Sequence, residues 1–415
     1  MSDSGGVCVR PTRRPWATGL GAVVAALFIA SACAGAPSGD GGAAATPAPA
    51  GSTVAAAGST AAPPAEVVSV LRKDPAGPVD VPVRGDVGRV HDPAIARDAT
   101  GYYVFFTGGG IHVIRSTDLV TWHTAPDVFA AEPAWVRAAL PESRVKDLWA
   151  PDVSYWGGQW HLYYTASTWN DRPTRNSAIG HATSPTLDPA APGYGWTDHG
   201  PVVQSRGAFD LGVGTDGYNA IDPNVAVDRD GQPWLFWGSA FDGIFVQRLN
   251  ADGSVDASTE PVNVARRGVS FSVVEAAYVV FHDGFWWLFA SYDYCCQGIK
   301  SNYRIVVGRS ANITGPYTDR SGQSMVSPRD GRPLAEDAGT PVLAGFGTTY
   351  GPGHESVLHE GDDWFLVHHW YNAATEWKPG LAGGAELGIR PLDWDDQGWP
   401  IARGWTPSIP PPTAP

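Results

Sequence analysis

The chain is short of positive charge, of cysteine and of long apolar runs, and each shortage narrows what it can do. Its 415 residues hold 28 Lys and Arg against 42 Asp and Glu, a formal net charge of −14. That balance leaves no basic surface to displace counterions from a polyanion, which argues against a nucleic-acid partner and is compatible with a neutral one such as a sugar. Of four cysteines, Cys8 and Cys33 lie near the N-terminus, so Cys295 and Cys296 are the only thiols of the body, and nothing has zinc-finger spacing. An oxidising setting permits a bond between these neighbours, but the eight-membered ring strains the intervening peptide. Two buried thiols are the plainer expectation. No long stretch carries amphipathic helical periodicity. The one extended apolar run, Gly19 to Ala30, is too short for an ordinary membrane span.

What is present is aromatic and turn-rich. Eighteen Trp, 50 Gly and 36 Pro, in a chain that is 43% hydrophobic, describe aromatic strands punctuated by tight turns, and hence an all-β fold with an ample core. Arg10, Arg13 and Arg14 precede the apolar run and small residues follow it, so residues 1–33 read as an export signal. Ala30-Ser31-Ala32-Cys33 resembles a bacterial lipobox, with Ala where Leu is usual. Lipidation of Cys33 and cleavage to a soluble protein are the two expectations, and both place the protein outside the cell. Residues 34–78, largely Ala, Gly, Pro, Ser and Thr, cannot bury a core and read as a flexible tether, which leaves 79–415 as the folded part. A tethered, self-contained domain is expected to be a monomer.

Five segments share one pattern, a head followed by an aromatic-rich strand. They begin at Asp92, Ala150, Asp222, Glu275 and His354, and Gly101, Gly231 and Gly284 each stand nine residues after an acidic head. The heads are 58, 72, 53 and 79 residues apart, the scale of a four-stranded propeller blade with insertions, so five blades are predicted. Second strands are predicted at Tyr102 to Thr107, Trp160 to Thr165 and Phe285 to Ala290. Further strands are visible at Ile111, Ser177, Gly243 and Arg304. Trp122 and Tyr317, each after a strand and a polar turn, are placed to fill the gap between neighbouring blades.

The innermost strand of a propeller blade lines the central channel, so equivalent positions at its start form a ring at one mouth. One Asp-Pro head is an ordinary strand start or turn. Three carboxylates and a His at a shared repeat position point instead to a site. Carboxylates gathered in a partly dry pocket separate in pKa, one staying protonated while another is ionised. That division suits glycoside hydrolysis, in which an acid protonates the leaving oxygen and a base activates water or a nucleophile attacks. Trp149, before the second head, and Trp169, Trp237 and Tyr294, just after second strands, are candidate platforms for sugar rings. His354 is open between a metal ligand and a neutral hydrogen-bonding role. His368 and His369 read as alternate residues of one strand.

His91-Asp92-Pro93, Trp149-Ala-Pro-Asp152, Asn219-Ala-Ile-Asp222-Pro223, Val274-Glu275-Ala276, Tyr292-Asp-Tyr-Cys-Cys-Gln-Gly298, Gly351-Pro-Gly-His354 and Leu387-Gly-Ile-Arg-Pro-Leu-Asp-Trp394 occur in order across about residues 80 to 405. This series resembles glycoside hydrolase family 43, most of all its endo-1,5-α-L-arabinanases. The resemblance implies a five-bladed propeller that cleaves arabinan with inversion. It assigns Asp92 as base, Glu275 as acid and Asp222 as the carboxylate that orients the acid and raises its pKa. It implies a calcium ion on His354 with water filling most of its shell, although an imidazole is a poor ligand for a hard cation. Trp149, Asn219, Ser239 and Arg390 are the expected substrate-binding residues, Arg390 being open between a sugar contact and blade packing.

Two features depart from the pattern: the charged segment between Thr168 and Asn176, which bears on cleft shape, and Glu275-Ala-Ala277 in place of the commoner Glu-Ala-Pro. An exo-acting α-L-arabinofuranosidase or a β-xylosidase of the same family would share the catalytic residues. A non-catalytic sugar-binding propeller would need the aromatic platforms and no paired acid and base. A retaining enzyme acting on fructans would be expected to show Arg-Asp-Pro where Ile221-Asp222-Pro223 stands.

Overall fold

A computed structural model describes residues 80–407, apart from 142–146, 170–175, 209–212, 215–216, 269–272, 332, 334–335 and 375–383. Residues 1–79, on which the expected export signal, tether and lipidated Cys33 fall, and most of the charged segment after Thr168 lie outside the described residues.

The five repeats fold into five sheets, each with four consecutive antiparallel strands, so the all-β five-bladed propeller expected from the spacing is what forms. The inner strands are Ala94–Asp98, Trp149–Trp156, Asn224–Val227, Val274–His282 and Thr349–Glu360. Each neighbours the inner strands before and after it, and the fifth neighbours the first, which closes the ring. Two-residue hairpins lead from inner to second strand where the sequence supplies the backbone for them. In Asp283-Gly284 both residues have positive φ, 47° and 81°, as the turn between His282 and Phe285 requires.

Burial explains the aromatic content. Five apolar clusters fill the five gaps between blades: Leu162 and Tyr164 with Phe105 between the first and second, Trp237 with Tyr163 between the second and third. Phe236 meets Leu288 between the third and fourth, Phe289 meets Leu366 between the fourth and fifth, and Val104 meets Phe365 at the closure. Trp122 and Tyr317 are buried in two of these gaps as expected, and each donates to a carbonyl three or four residues back, Leu119 and Ile313.

A second interblade device is polar. Two residues after Asp92, Ala150, Asp222, Ala276 and His354 stand Ala94, Asp152, Asn224, Tyr278 and Ser356, and four of the five reach the next blade. Asp152 accepts the Val225 N–H at 2.8 Å, Asn224 accepts the Val279 N–H at 3.0 Å, and Ser356 accepts the Ile95 N–H at 3.2 Å. Tyr278 donates to the Val357 carbonyl at 3.3 Å. The receiving residue holds the same repeat position each time, so this ring clamps blade to blade. Ala94 carries no polar group.

Closure between the last and first blades uses the segment that precedes the first blade. Arg84–Gly85 pairs in parallel with Thr121–Ala125, the outermost strand of the first blade, and Val81 N–H donates to the Ile389 carbonyl of the fifth. Arg390 belongs to this seam and does not bind at the mouth. It is buried, paired with Asp80 at 2.8 Å and bonded to the Arg403 carbonyl, because its place in the strand Ala385–Trp394 directs it under the N-terminal segment.

Candidate active site

The heads converge through an unusual backbone conformation. Asp92, Ala150, Asp222, Ala276 and His354 have φ of 54°, 42°, 56°, 56° and 48°, a left-handed region that non-glycine residues seldom occupy. In the second, fourth and fifth blades this residue forms a β-bulge against the second strand, breaking the register between Trp149 and Asp152, Glu275 and Tyr278, and Gly353 and Ser356. The heads therefore align differently from the sequence reading. Asp92, Asp222 and His354 share the left-handed position, but in the fourth blade that position is Ala276. Glu275 stands one residue earlier, level with Trp149 in the second blade. A bulge adds one residue to one strand and leaves no mark in composition, so the offset was not legible there.

The N–H of each left-handed residue is met by the preceding blade. Thr107 Oγ1 accepts from Ala150, Thr165 Oγ1 from Asp222, Ser291 Oγ from His354, and His369 Nδ1 from Asp92, at 2.9 to 3.3 Å. In the third blade the matching position is Gly238, which has no side chain, and the Ala276 N–H turns to Asp222 Oδ2 at 3.3 Å. The break in the pattern thus couples Asp222 to the residue after Glu275.

Asp92 is buried among donors. Its Oδ1 lies 2.7 Å from His91 Nδ1 and 3.0 Å from His354 Nδ1, and Thr107 donates to Oδ2 at 2.5 Å, while His369 Nδ1 accepts from the Asp92 backbone. Burial alone would raise this carboxyl; His354 and His91 outweigh it and hold Asp92 well below the usual carboxylate range. Glu275 is half-buried, with Ser239 donating to one oxygen at 2.5 Å and Tyr303 to the other at 2.8 Å. Burial raises its pKa despite those bonds, and the Asp92 charge adds to the rise. Asp222 is raised well above the ordinary value by burial, with the charges of Glu275 and Asp92 reinforcing it. One mouth therefore holds a carboxyl pulled toward ionisation beside two that are pushed toward protonation.

His354 meets two opposing influences: burial opposes its charge, while Asp92, Asp222 and Glu275 favour it, and the pKa is raised to about 10. With Nδ1 donated to Asp92, Nε2 is the nitrogen left for a cation, a carboxylate-backed imidazole of the kind that binds metals. Among the described residues no set of carboxylate oxygens gathers around it. The residues fit an ion held by His354 and water, and do not fit a calcium caged by protein oxygens.

Other expected site residues divide. Trp149 is half-buried at the position level with Glu275, and Tyr294 is exposed. Trp237 is fully buried between the second and third blades and cannot meet a sugar. Trp169 packs edge-on against Phe241. Asn219 is buried with both amide atoms unpartnered, and Ser239 is committed to Glu275. His368 and His369 do point to opposite sides, but both are buried, and His369 belongs to the site. Cys295 and Cys296 are disulfide-bonded and part-exposed, not two buried thiols, because a turn with positive φ at Asp293 and Cys296 accommodates the ring. Tyr303, Thr107, His91 and Tyr371 had no role assigned from sequence. Thr107 was legible: it holds the same repeat position as Thr165 and Ser291.

Residues 86–400 match the family model for glycosyl hydrolases family 43. An extracellular exo-α-(1→5)-L-arabinofuranosidase of Cellvibrio japonicus is 34% identical, over 75% of this chain and 85% of that protein. An extracellular endo-α-(1→5)-L-arabinanase of Bacillus subtilis is 32% identical, over 75% of this chain and 87% of its own length. The solved structure of Cellvibrio cellulosa α-L-arabinanase complexed with arabinohexaose superposes with a TM-score of 0.66 at 33% identity, covering 75% of this chain and 95% of that one. With the matched segment spanning every blade and the whole carboxylate mouth, the chain belongs to glycosyl hydrolase family 43 and is a glycoside hydrolase.

Proposed function

We propose that this enzyme hydrolyses the α-1,5-L-arabinofuranosidic bonds of arabinan outside the cell by single displacement with inversion. Asp92 is the base that takes a proton from the attacking water, Glu275 the acid that protonates the leaving oxygen, and Asp222 the neighbour that keeps Glu275 protonated and, through the Ala276 N–H, fixes its backbone. The observation that carries this reading is the opposite treatment of carboxyls within one mouth: Asp92 is held low by His354 and His91, and Glu275 and Asp222 are pushed up by burial. The relatives named for arabinan cleavage support the substrate, and Trp149, half-buried at the repeat position that Glu275 holds in its own blade, offers a ring for a sugar face. Ser239 and Tyr303 hold the acid's two oxygens and are assigned to orientation.

A calcium ion on His354, completed by water, fits the same reading and would add positive charge near Asp92. The acidic surroundings that draw a proton to His354 would draw a cation to Nε2 in its place. Export through residues 1–33, with or without a lipid on Cys33, agrees with the extracellular relatives.

Incubation with debranched arabinan, linear xylan and aryl arabinofuranosides tests the substrate. Glu275→Gln should lose nearly all turnover on arabinan and keep far more on an aryl glycoside whose leaving group needs no proton. Newly released ends should carry the β-anomer. Equal losses on both substrates would remove Glu275 as the acid, and an α-anomeric product would remove inversion. Exo action is the second reading, favoured by the similarity to the exo-acting C. japonicus enzyme. Release of one short product from the outset supports it, whereas mixed oligosaccharides support endo action.

A further inference from the structure

The Cys295–Cys296 disulfide lies outside the acid and base machinery, yet its backbone reaches it in two steps. The Cys296 N–H donates to Tyr371 Oη at 2.9 Å. Tyr371 Oη lies 3.1 Å from His91 Nε2, and His91 Nδ1 lies 2.7 Å from Asp92 Oδ1. The short contact of His91 Nδ1 with the Asp92 carboxylate places the imidazole proton on Nδ1, so Nε2 of the neutral ring accepts from Tyr371 Oη, which in turn accepts from Cys296 and also bonds Ser301. The chain of donors runs one way, from the disulfide turn to the carboxylate. It fixes the imidazole tautomer, as an outer hydrogen-bond partner does elsewhere. His91 is further held by stacking on His369, with ring centres 4.1 Å apart.

The first donor belongs to the disulfide turn. Cys296 has φ of 68°, a conformation costly for a residue with a Cβ, and it is bonded to its neighbour Cys295. In that conformation Cys296 Sγ also sits 3.7 Å from His91 Nε2. Cys296 is exposed, so a soluble thiol can reach it.

We propose that Tyr371 and His91 are positioning residues for Asp92, and that the Cys295–Cys296 disulfide holds them in register, so that reduction of this bond by a dithiol slows the enzyme. The proposal rests on the reading of Asp92 as the base. In the reduction a dithiol gives two electrons and two protons: the Cys295–Cys296 bond breaks, both thiols are formed, and the dithiol closes to its own disulfide. Freed of the ring, Cys296 leaves the left-handed conformation, Tyr371 keeps Ser301 but loses the Cys296 N–H that sets its hydroxyl against His91, and His91 is free to turn its Nδ1 proton from Asp92.

The test uses the full chain treated with dithiothreitol under native conditions, with two free thiols per chain verified by thiol titration and the unfolding midpoint recorded. On linear arabinan, reduction and Tyr371→Phe should each lower kcat by about ten-fold, the lower end of what loss of an outer partner costs, with KM changed by less than about two-fold. Reoxidation should restore kcat. Reduction of Tyr371→Phe should cause little further loss, since both act through one path. His91→Asn, whose amide N–H can replace Nδ1–H, should retain more activity than His91→Ala. Unchanged kcat in the reduced, folded enzyme overturns the proposal, as do additive losses in reduced Tyr371→Phe or a fall in kcat that merely follows unfolding. Asp92→Asn separates the two levels. If it is inactive while reduction and Tyr371→Phe are silent, the relay fails and the base stands; if it is active, the base reading fails and the relay with it.

Discussion

Two rings of side chains, two residues apart along the inner strands, use similar residue types for opposite ends. At the mouth, Asp92, Asp222 and His354 occupy left-handed positions and face one another, joined by Glu275. Deeper along the same strands, Asp152, Asn224, Tyr278 and Ser356 each face a fixed backbone group of the next blade. A buried polar group with a dedicated partner contributes to stability. Charged groups that find mainly one another are held at a cost and are available for chemistry. The contrast shows that the propeller's symmetry is spent on assembly in the inner ring and broken for catalysis in the outer one.

The widest separation between the rings should come from Asp92→Asn. It is expected to lower kcat on arabinan by about 10²- to 10⁴-fold, the range for loss of a general base, while urea unfolding stays near the wild-type midpoint. Asp152→Ala should do the reverse. It leaves the Val225 N–H and the Asn224 amide without their acceptor, so stability should fall by about 1–3 kcal/mol, with kcat per folded molecule unchanged. If both substitutions cost activity and stability alike, the two rings do not divide as described.

Asp152→Asn sharpens the contrast through pH. Burial raises the Asp152 carboxyl to about 6, above the 3.8 of an unfolded chain. The folded state therefore binds this proton more tightly, and the stability it contributes is complete below about pH 3.8 and is lost as pH rises through about 6. Relative to wild type, Asp152→Asn should be least favourable near pH 4 and improve toward pH 7, as measured by urea midpoints at both. A difference that does not vary with pH counts against the raised pKa. The smallest effect is expected for Ala94→Ser, which places at the one empty clamp position the hydroxyl that Ser356 uses, and should raise stability by no more than about 1 kcal/mol.

Much of this was legible because the repeat is carried by residue type. The turn glycines, the aromatic strands after them and the ionisable heads set the blade count, and the strands lie within a residue or two of their predicted places. The carboxylates at the mouth were legible for the same reason. Ser239 and Arg390 were expected to touch sugar, but one is bound to Glu275 and the other to Asp80, partners 36 and 310 residues away. Neither pairing leaves a local pattern. Tyr303 and Tyr371 were passed over because buried tyrosines are common in such strands, and their significance lies in where the hydroxyl ends.

The linear order of residues was enough to specify five blades, the identity of the ionisable heads and the family, since each depends on local periodicity and on motif order. Folding alone settled the rest. Bulges and left-handed residues moved Glu275 one place from the other heads, and burial and neighbouring charge split the carboxyls into a low one and a high pair. The cysteine pair's turn was brought onto Tyr371. These are properties of distance and dielectric, and they exist only once blades far apart in the chain share an axis.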